Sequence, residues 1–94
     1  MTGLAAVQVI VYGRVQGVFF RAFAARQAEE LGLSGYVRNL SGGAALEVKA
    51  EGASDKLQEF INYLRVGPPA AEVTKVETTW SAYTGNYSGF SVRY

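Results

Sequence analysis

Val7-Gln8-Val9-Ile10-Val11-Tyr12-Gly13-Arg14-Val15-Gln16-Gly17-Val18-Phe19-Phe20-Arg21 sets a strand, a glycine-bounded loop and the start of a helix in one run. Val7 to Tyr12 is largely apolar on both alternating faces, as expected of a strand inside a sheet. Ala22 to Leu31 follows, with Phe23, Ala24, Ala28 and Leu31 near helical spacing and Arg26, Glu29 and Glu30 on the wet side, which predicts a helix. Between them, Gly13 and Gly17 open backbone conformations closed to other residues. The first N–H groups of a helix lack partners within it and carry the positive end of its dipole. A loop that opens into a helix therefore turns N–H groups toward one point and suits an anion. Arg21 brings a planar fork that can grip phosphate or carboxylate through two parallel hydrogen bonds. The same residues equally make an ordinary turn followed by a solvated arginine. A Walker loop would need Gly-Lys-Ser/Thr, and the glycine spacing is not that of the G-x-G-x-x-G dinucleotide fingerprint.

Downstream, Gly32 is expected to be left-handed at the helix end, with Leu33 folding back onto the last turn. Tyr36 to Leu40 reads as a second strand, Ser41-Gly42-Gly43 as a hairpin turn and Ala44 to Glu51 as a third strand. In that third strand Leu46, Val48 and Ala50 alternate with Glu47, Lys49 and Glu51, which predicts one face in water. Ser54 is expected to cap a second helix, with Asp55 favouring its dipole. Leu57, Phe60, Ile61 and Leu64 mark the buried stripe of that helix, and Gly67-Pro68-Pro69 stops it. Val73 to Tyr83 reads as a fourth strand with Val76 and Trp80 turned inward. Thr84 to Gly89 is a loop, and Phe90 to Tyr94 a short final strand. Met1 to Ala6 reads as a loose lead-in. This order predicts an α+β, ferredoxin-like sandwich in which two helices cover one face of an antiparallel sheet. One domain spans residues 1–94. The fold alone assigns no function.

The chain of 94 residues is 49% hydrophobic and 18% charged, which predicts a globule with one core rather than a disordered segment. A net charge of +1, with the basic residues scattered among acids, gives no basis for nucleic-acid binding. There is no cysteine and no histidine. A thiolate nucleophile, a Cys/His zinc site and an imidazole base are thereby excluded. Catalysis would rest on carboxylates, lysine, tyrosine, hydroxyls or positioning. Absence of cysteine fits a reducing, cytoplasmic setting. No signal-peptide pattern opens the chain and no apolar run is long enough to span a membrane. The sequons at Asn39 and Asn86 are read as coincidence.

Asn39 closes the second strand beside the hairpin. A turn asparagine commonly serves the backbone. In the predicted fold this strand end can also approach the Gly13–Arg21 loop, where an amide that both donates and accepts could hold a water beside a bound anion.

Gly13-Arg14-Val15-Gln16-Gly17-Val18-Phe19-Phe20-Arg21, then Gly32-Leu33, Gly35-Tyr36-Val37-Arg38-Asn39 and the closing Gly89-Phe90-Ser91-Val92-Arg93-Tyr94 together resemble the acylphosphatase family. The resemblance implies a small cytoplasmic hydrolase that needs no metal or cofactor and cleaves the carboxyl–phosphate bond of acyl phosphates. It places the substrate-binding arginine on Arg21 and the water-positioning asparagine on Asn39. It places the phosphate-cradling loop on Val15, Gln16, Gly17, Val18, Phe19 and Phe20, mostly through backbone N–H groups. Tyr36 stands where the family more often has tryptophan, and Ser41-Gly42-Gly43 replaces a commoner Asp-Gly turn. The chemistry suits such a chain, because phosphoryl transfer relies largely on positioning and charge stabilisation. A phosphate oxygen of the substrate would accept the proton. The expected protein is a free-standing monomeric enzyme acting on a small molecule. Two alternatives are a domain of this type that docks a partner without turnover, and an RNA-recognition domain of the same fold class. The second is disfavoured by the predicted wet face of Glu47, Lys49 and Glu51, which would repel phosphate.

Overall fold

Alternation and helical periodicity resolve into five strands and two helices in a computed structural model that describes residues 3–94. In chain order these are β1 (Leu4–Arg14), α1 (Phe20–Glu30), β2 (Ser34–Asn39), β3 (Ala45–Ala53), α2 (Ser54–Val66), β4 (Glu72–Ser81) and β5 (Phe90–Arg93). The strands form one sheet in the order β4-β1-β3-β2-β5. β1, the strand with two apolar faces, is interior as its sequence predicts. The neighbours are antiparallel except β5, which lies parallel to β2.

Val7, Val9 and Val11 of β1 face the helices together with Val37, Leu46 and Val48, and against them pack Phe20, Ala24 and Ala28 of α1 and Leu57, Phe60, Ile61 and Leu64 of α2. The predicted stripe of α2 is thus buried in full. In α1, Phe23 and Leu31 are only partly buried and Phe20 takes the deep position. Gly32 has φ +71°, and the Leu33 N–H donates to the Ala28 carbonyl at 2.9 Å, so the chain folds back over the helix end as expected.

Several expectations are corrected. The lead-in ends early, because Leu4 to Ala6 already pair with β3; its first two residues lie outside the described part. β4 stops at Ser81 rather than Tyr83. Trp80 sits opposite Val7, on the helix side, yet stays 45% exposed, because β4 is an edge strand at the limit of the helical cover. Ser54 is the first helical residue rather than the cap; Ala53 holds the cap position without a side-chain bond.

The largest correction concerns the outer face. Glu47 and Glu51 are buried, where alternation placed them in water. The Glu47 carboxylate accepts from Gln8 Nε2 (2.6 Å), the Tyr36 hydroxyl (3.0 Å) and Arg38 Nε (2.6 Å). The Arg93 guanidinium lies 3.8 Å from the Tyr36 ring centroid and helps cover that ring. Glu51 accepts from the Thr84 N–H (3.1 Å) and hydroxyl (2.6 Å) and from the Gly85 N–H (2.9 Å), so it straps the loop between β4 and β5 across the sheet. Burial works to raise both carboxyls. The bonds from Arg38, Gln8 and Tyr36 to Glu47, and from Thr84 and Gly85 to Glu51, outweigh it and hold both below their ordinary value.

Candidate active site

The loop between β1 and α1 takes its shape from two left-handed residues. Gly17 has φ +71°, which glycine adopts without strain, but Phe19 has φ +62° and no such freedom. The Phe19 ring is 85% exposed, so packing does not compensate for the strain. Phe19 is the N-cap residue of α1 and makes no side-chain cap bond. Left-handed residues in such a loop fold N–H groups into a concave nest, and the first turn of α1 adds its free N–H groups and dipole. No acidic side chain stands in that first turn to occupy them.

Arg21, the second residue of α1, lies over β5. Its Nη1 donates to the Arg93 carbonyl at 3.1 Å, and its guanidinium carbon is 4.5 Å from the Tyr94 ring centroid. Asn39 ends β2 opposite Leu46, so its side chain emerges on the helix side of the sheet. Its Oδ1 is buried without a hydrogen-bond partner. Such an atom is costly unless something polar meets it.

A cavity of about 320 Å³ joins these parts. Of the residues singled out from sequence, Val15, Gly17, Phe19, Phe20, Arg21 and Asn39 line it. Gln16 and Val18 do not. Val18 packs against the core, and the Gln16 side chain turns to the β2–β3 hairpin, donating from Nε2 to the carbonyls of Leu40 and Ala45, both at 2.8 Å. Phe20 contributes to the wall although its side chain is sunk in the core. Sequence reasoning missed Ala22, Val92 and Tyr94 as wall residues and the Arg93 carbonyl as a partner of Arg21. The only cue was the alternation in the last strand; nothing in it told that β5 would lie parallel to β2 beside α1.

A ferredoxin-like sandwich with an arginine, an unpartnered carboxamide and a helix-opening loop around one cavity has the makings of a small domain suited to an anion. The acylphosphatase family model matches residues 7–92. An acylphosphatase of Dehalococcoides mccartyi is 54% identical over 88 residues, covering 94% of this chain and 97% of the relative. The crystal structure of acylphosphatase from Bacillus subtilis is 37% identical with a TM-score of 0.91, covering 98% of this chain and 100% of that one. The crystal structure of T.kodakarensis HypF is 34% identical with a TM-score of 0.81, covering 96% of this chain but 12% of that one. The chain belongs to the acylphosphatase family, a family of hydrolases that act on small acyl phosphates.

Proposed function

We propose that this chain hydrolyses the carboxyl–phosphate bond of small acyl phosphates as a monomeric, cytoplasmic enzyme, with Arg21 and the backbone N–H groups of Val15 to Phe20 binding the phosphate and Asn39 aiming the attacking water. One observation carries the reading: Arg21 and Asn39 line the same cavity as the loop, and the buried Asn39 Oδ1 has no protein partner. The guanidinium and the amides neutralise the charge spread over the phosphoryl oxygens. Asn39 accepts a hydrogen bond from water through that free oxygen and orients its lone pair in line with the carboxylate leaving group. The substrate's own phosphate oxygen takes the proton, a role that no aspartate, glutamate, lysine or histidine side chain among the cavity's lining residues offers to fill. Among the described residues no three or more His, Cys, Asp or Glu side chains gather where they could hold a metal ion. Among them, too, no helix is long and apolar enough to cross a membrane.

The test is phosphate release from several acyl phosphates and simple phosphate esters, with EDTA present. Asn39→Ala is expected to lose about 10²–10³ in kcat with KM largely kept, and Arg21→Ala to lose both, on the scale of one removed preorganised donor. Full activity of a folded Arg21→Ala protein refutes the assignment. The match to 12% of the HypF chain shows that a domain of this kind also occurs within a longer protein, which leaves room for a second reading, a domain that docks a partner without turnover; absence of phosphate release from every acyl phosphate would favour it.

A further inference from the structure

Gln16 lies within the loop but its side chain turns from the cavity, and both hydrogens of Nε2 are used on main-chain carbonyls, Leu40 O and Ala45 O, each at 2.8 Å. Those carbonyls are the two ends of the hairpin between β2 and β3, which the Leu40 N–H closes by donating to Ala45 O at 3.0 Å. Leu40 is the residue after Asn39. One amide therefore ties the loop's backbone to the strand end that bears the water-aiming candidate. A second tie, the Gly13 N–H donating to the Ala44 carbonyl at 3.0 Å, holds only the start of the loop. Arg21 is fixed elsewhere, by the Arg93 carbonyl and the Tyr94 ring.

We propose that Gln16 is a positioning residue for hydrolysis: its side chain clamps the loop to the β2–β3 hairpin and so sets the separation between the phosphate-binding amides and Asn39. The proposal rests on the roles given to the loop and Asn39 above. In-line attack depends on that separation, and a displacement of about 1 Å can cost roughly 10²-fold in rate. Phosphate binding depends on it less, because the loop's own curvature and Arg21 stay in place. Losing the clamp should therefore lower kcat and leave KM nearly unchanged.

The experiment compares wild type, Gln16→Met, Gln16→Glu, Asn39→Ala and the double variant Gln16→Met/Asn39→Ala, each checked for folding by circular dichroism. Methionine keeps the length and removes both donors. Gln16→Met is expected to lose about 10–100-fold in kcat, with KM within about threefold of wild type. Glutamate is isosteric and, when ionised, offers the two carbonyls no donor; protonated, it regains one. Gln16→Glu should match Gln16→Met at pH 7 and recover relative to wild type as pH falls through its carboxyl pKa. Gln16→Met should show no such recovery. Because the clamp acts through Asn39, the double variant should be little slower than Asn39→Ala alone.

Wild-type kcat in Gln16→Met, beside an inactive Asn39→Ala, overturns the clamp and leaves the site reading standing. Fully additive losses in the double variant overturn the clamp in the same way. If Gln16→Met does not fold, the pH recovery within folded Gln16→Glu decides, and its absence counts against the proposal. A wild type that releases no phosphate from any acyl phosphate overturns the site reading, and the clamp with it.

Discussion

The Arg21 guanidinium lies against the Tyr94 ring, 4.5 Å from its centroid, while its Nη1 reaches the Arg93 carbonyl at 3.1 Å. The last residue of β5 and the residue after it thus both contact the one arginine that lines the cavity. The carbonyl accepts from one N–H of the guanidinium, and the ring lies beside it as a cation–π partner. Tyr94 is fully exposed, and at an exposed site such a cation–π contact is worth about 0.5–1 kcal/mol. Tyr94→Ala should therefore weaken substrate binding by about two- to fivefold, seen as a rise in KM with kcat nearly kept. Tyr94→Phe, which retains the ring face, should behave as wild type. Steady-state kinetics with an acyl phosphate checks both; a Tyr94→Ala protein with unaltered KM would show that the ring contact does not serve binding.

Glu47 and Glu51 give the outer face a pH dependence whose sign follows from their partners. Both carboxyls lie below the ordinary value of 4.5 in the folded chain, burial being outweighed by the hydrogen bonds they accept. The unfolded chain therefore binds these protons more readily, and stability rises with pH across that window. The contribution is complete above the ordinary value and is lost as pH falls below it, through the lower folded values. Urea midpoints at pH 6 and pH 3.5 should differ in that direction. Glu47→Gln should flatten the difference, because its amide does not titrate. Glu77, held low by the Tyr12 hydroxyl and by Lys75, titrates in the same sense but is common to both proteins. An equally steep pH dependence in Glu47→Gln would exclude Glu47 as a source.

These two glutamates also mark where the sequence stops being legible. β1, the loop after it, both helices and the hairpin follow from local spacing, turn residues and apolar periodicity, which act within a few residues. The burial of Glu47 depends on Gln8, 39 positions away, and that of Glu51 on Thr84, 33 away. Alternation says which side of a strand a residue takes, not what will cover it. Likewise the Arg21 and Asn39 side chains could be singled out from their neighbours, and the family resemblance joined them. The partners that orient the site could not, because the Gln16 amide meets Leu40 and Ala45, and Arg21 meets Arg93, only through the topology. The early start of β1 escaped notice for the same reason: Leu4 to Ala6 carry no strand pattern of their own and are recruited by pairing with β3.

Phe19 stores strain where the loop becomes a helix. A bulky residue with φ +62° and a ring 85% exposed gains little from burial and pays for a left-handed backbone. Relief of such strain is worth about 1–3 kcal/mol, and the added freedom of glycine in the unfolded chain returns about 0.4–1 kcal/mol of it. Phe19→Gly should therefore raise stability by about 1 kcal/mol in chemical denaturation. Phe19→Val should lower it, since a β-branched side chain is the least tolerant of this conformation. A Phe19→Gly protein less stable than wild type would show that the ring makes contacts outweighing the strain.

Gly35, the single glycine of β2, should be among the least replaceable glycines of the fold. Its φ is +139°, and a Cβ at this position would meet the Lys49 carbonyl and the Ala50 Cα of the neighbouring strand. Its N–H donates to the Gly89 carbonyl at 3.0 Å, where the parallel β5 joins β2. A methyl group there must push apart β2 and β3 or break the junction to β5, with no flexible side chain to yield. Gly35→Ala should cost about 3 kcal/mol or more, combining backbone strain with overpacking. Gly42→Ala is the control. Its φ of +98° is also left-handed, but a Cβ would meet nothing within 4 Å, so only the strain of about 1 kcal/mol remains. Urea unfolding of the two variants side by side separates the effects. Equal losses would mean that the close approach of the Lys49 backbone to Gly35 does not limit what this position can hold.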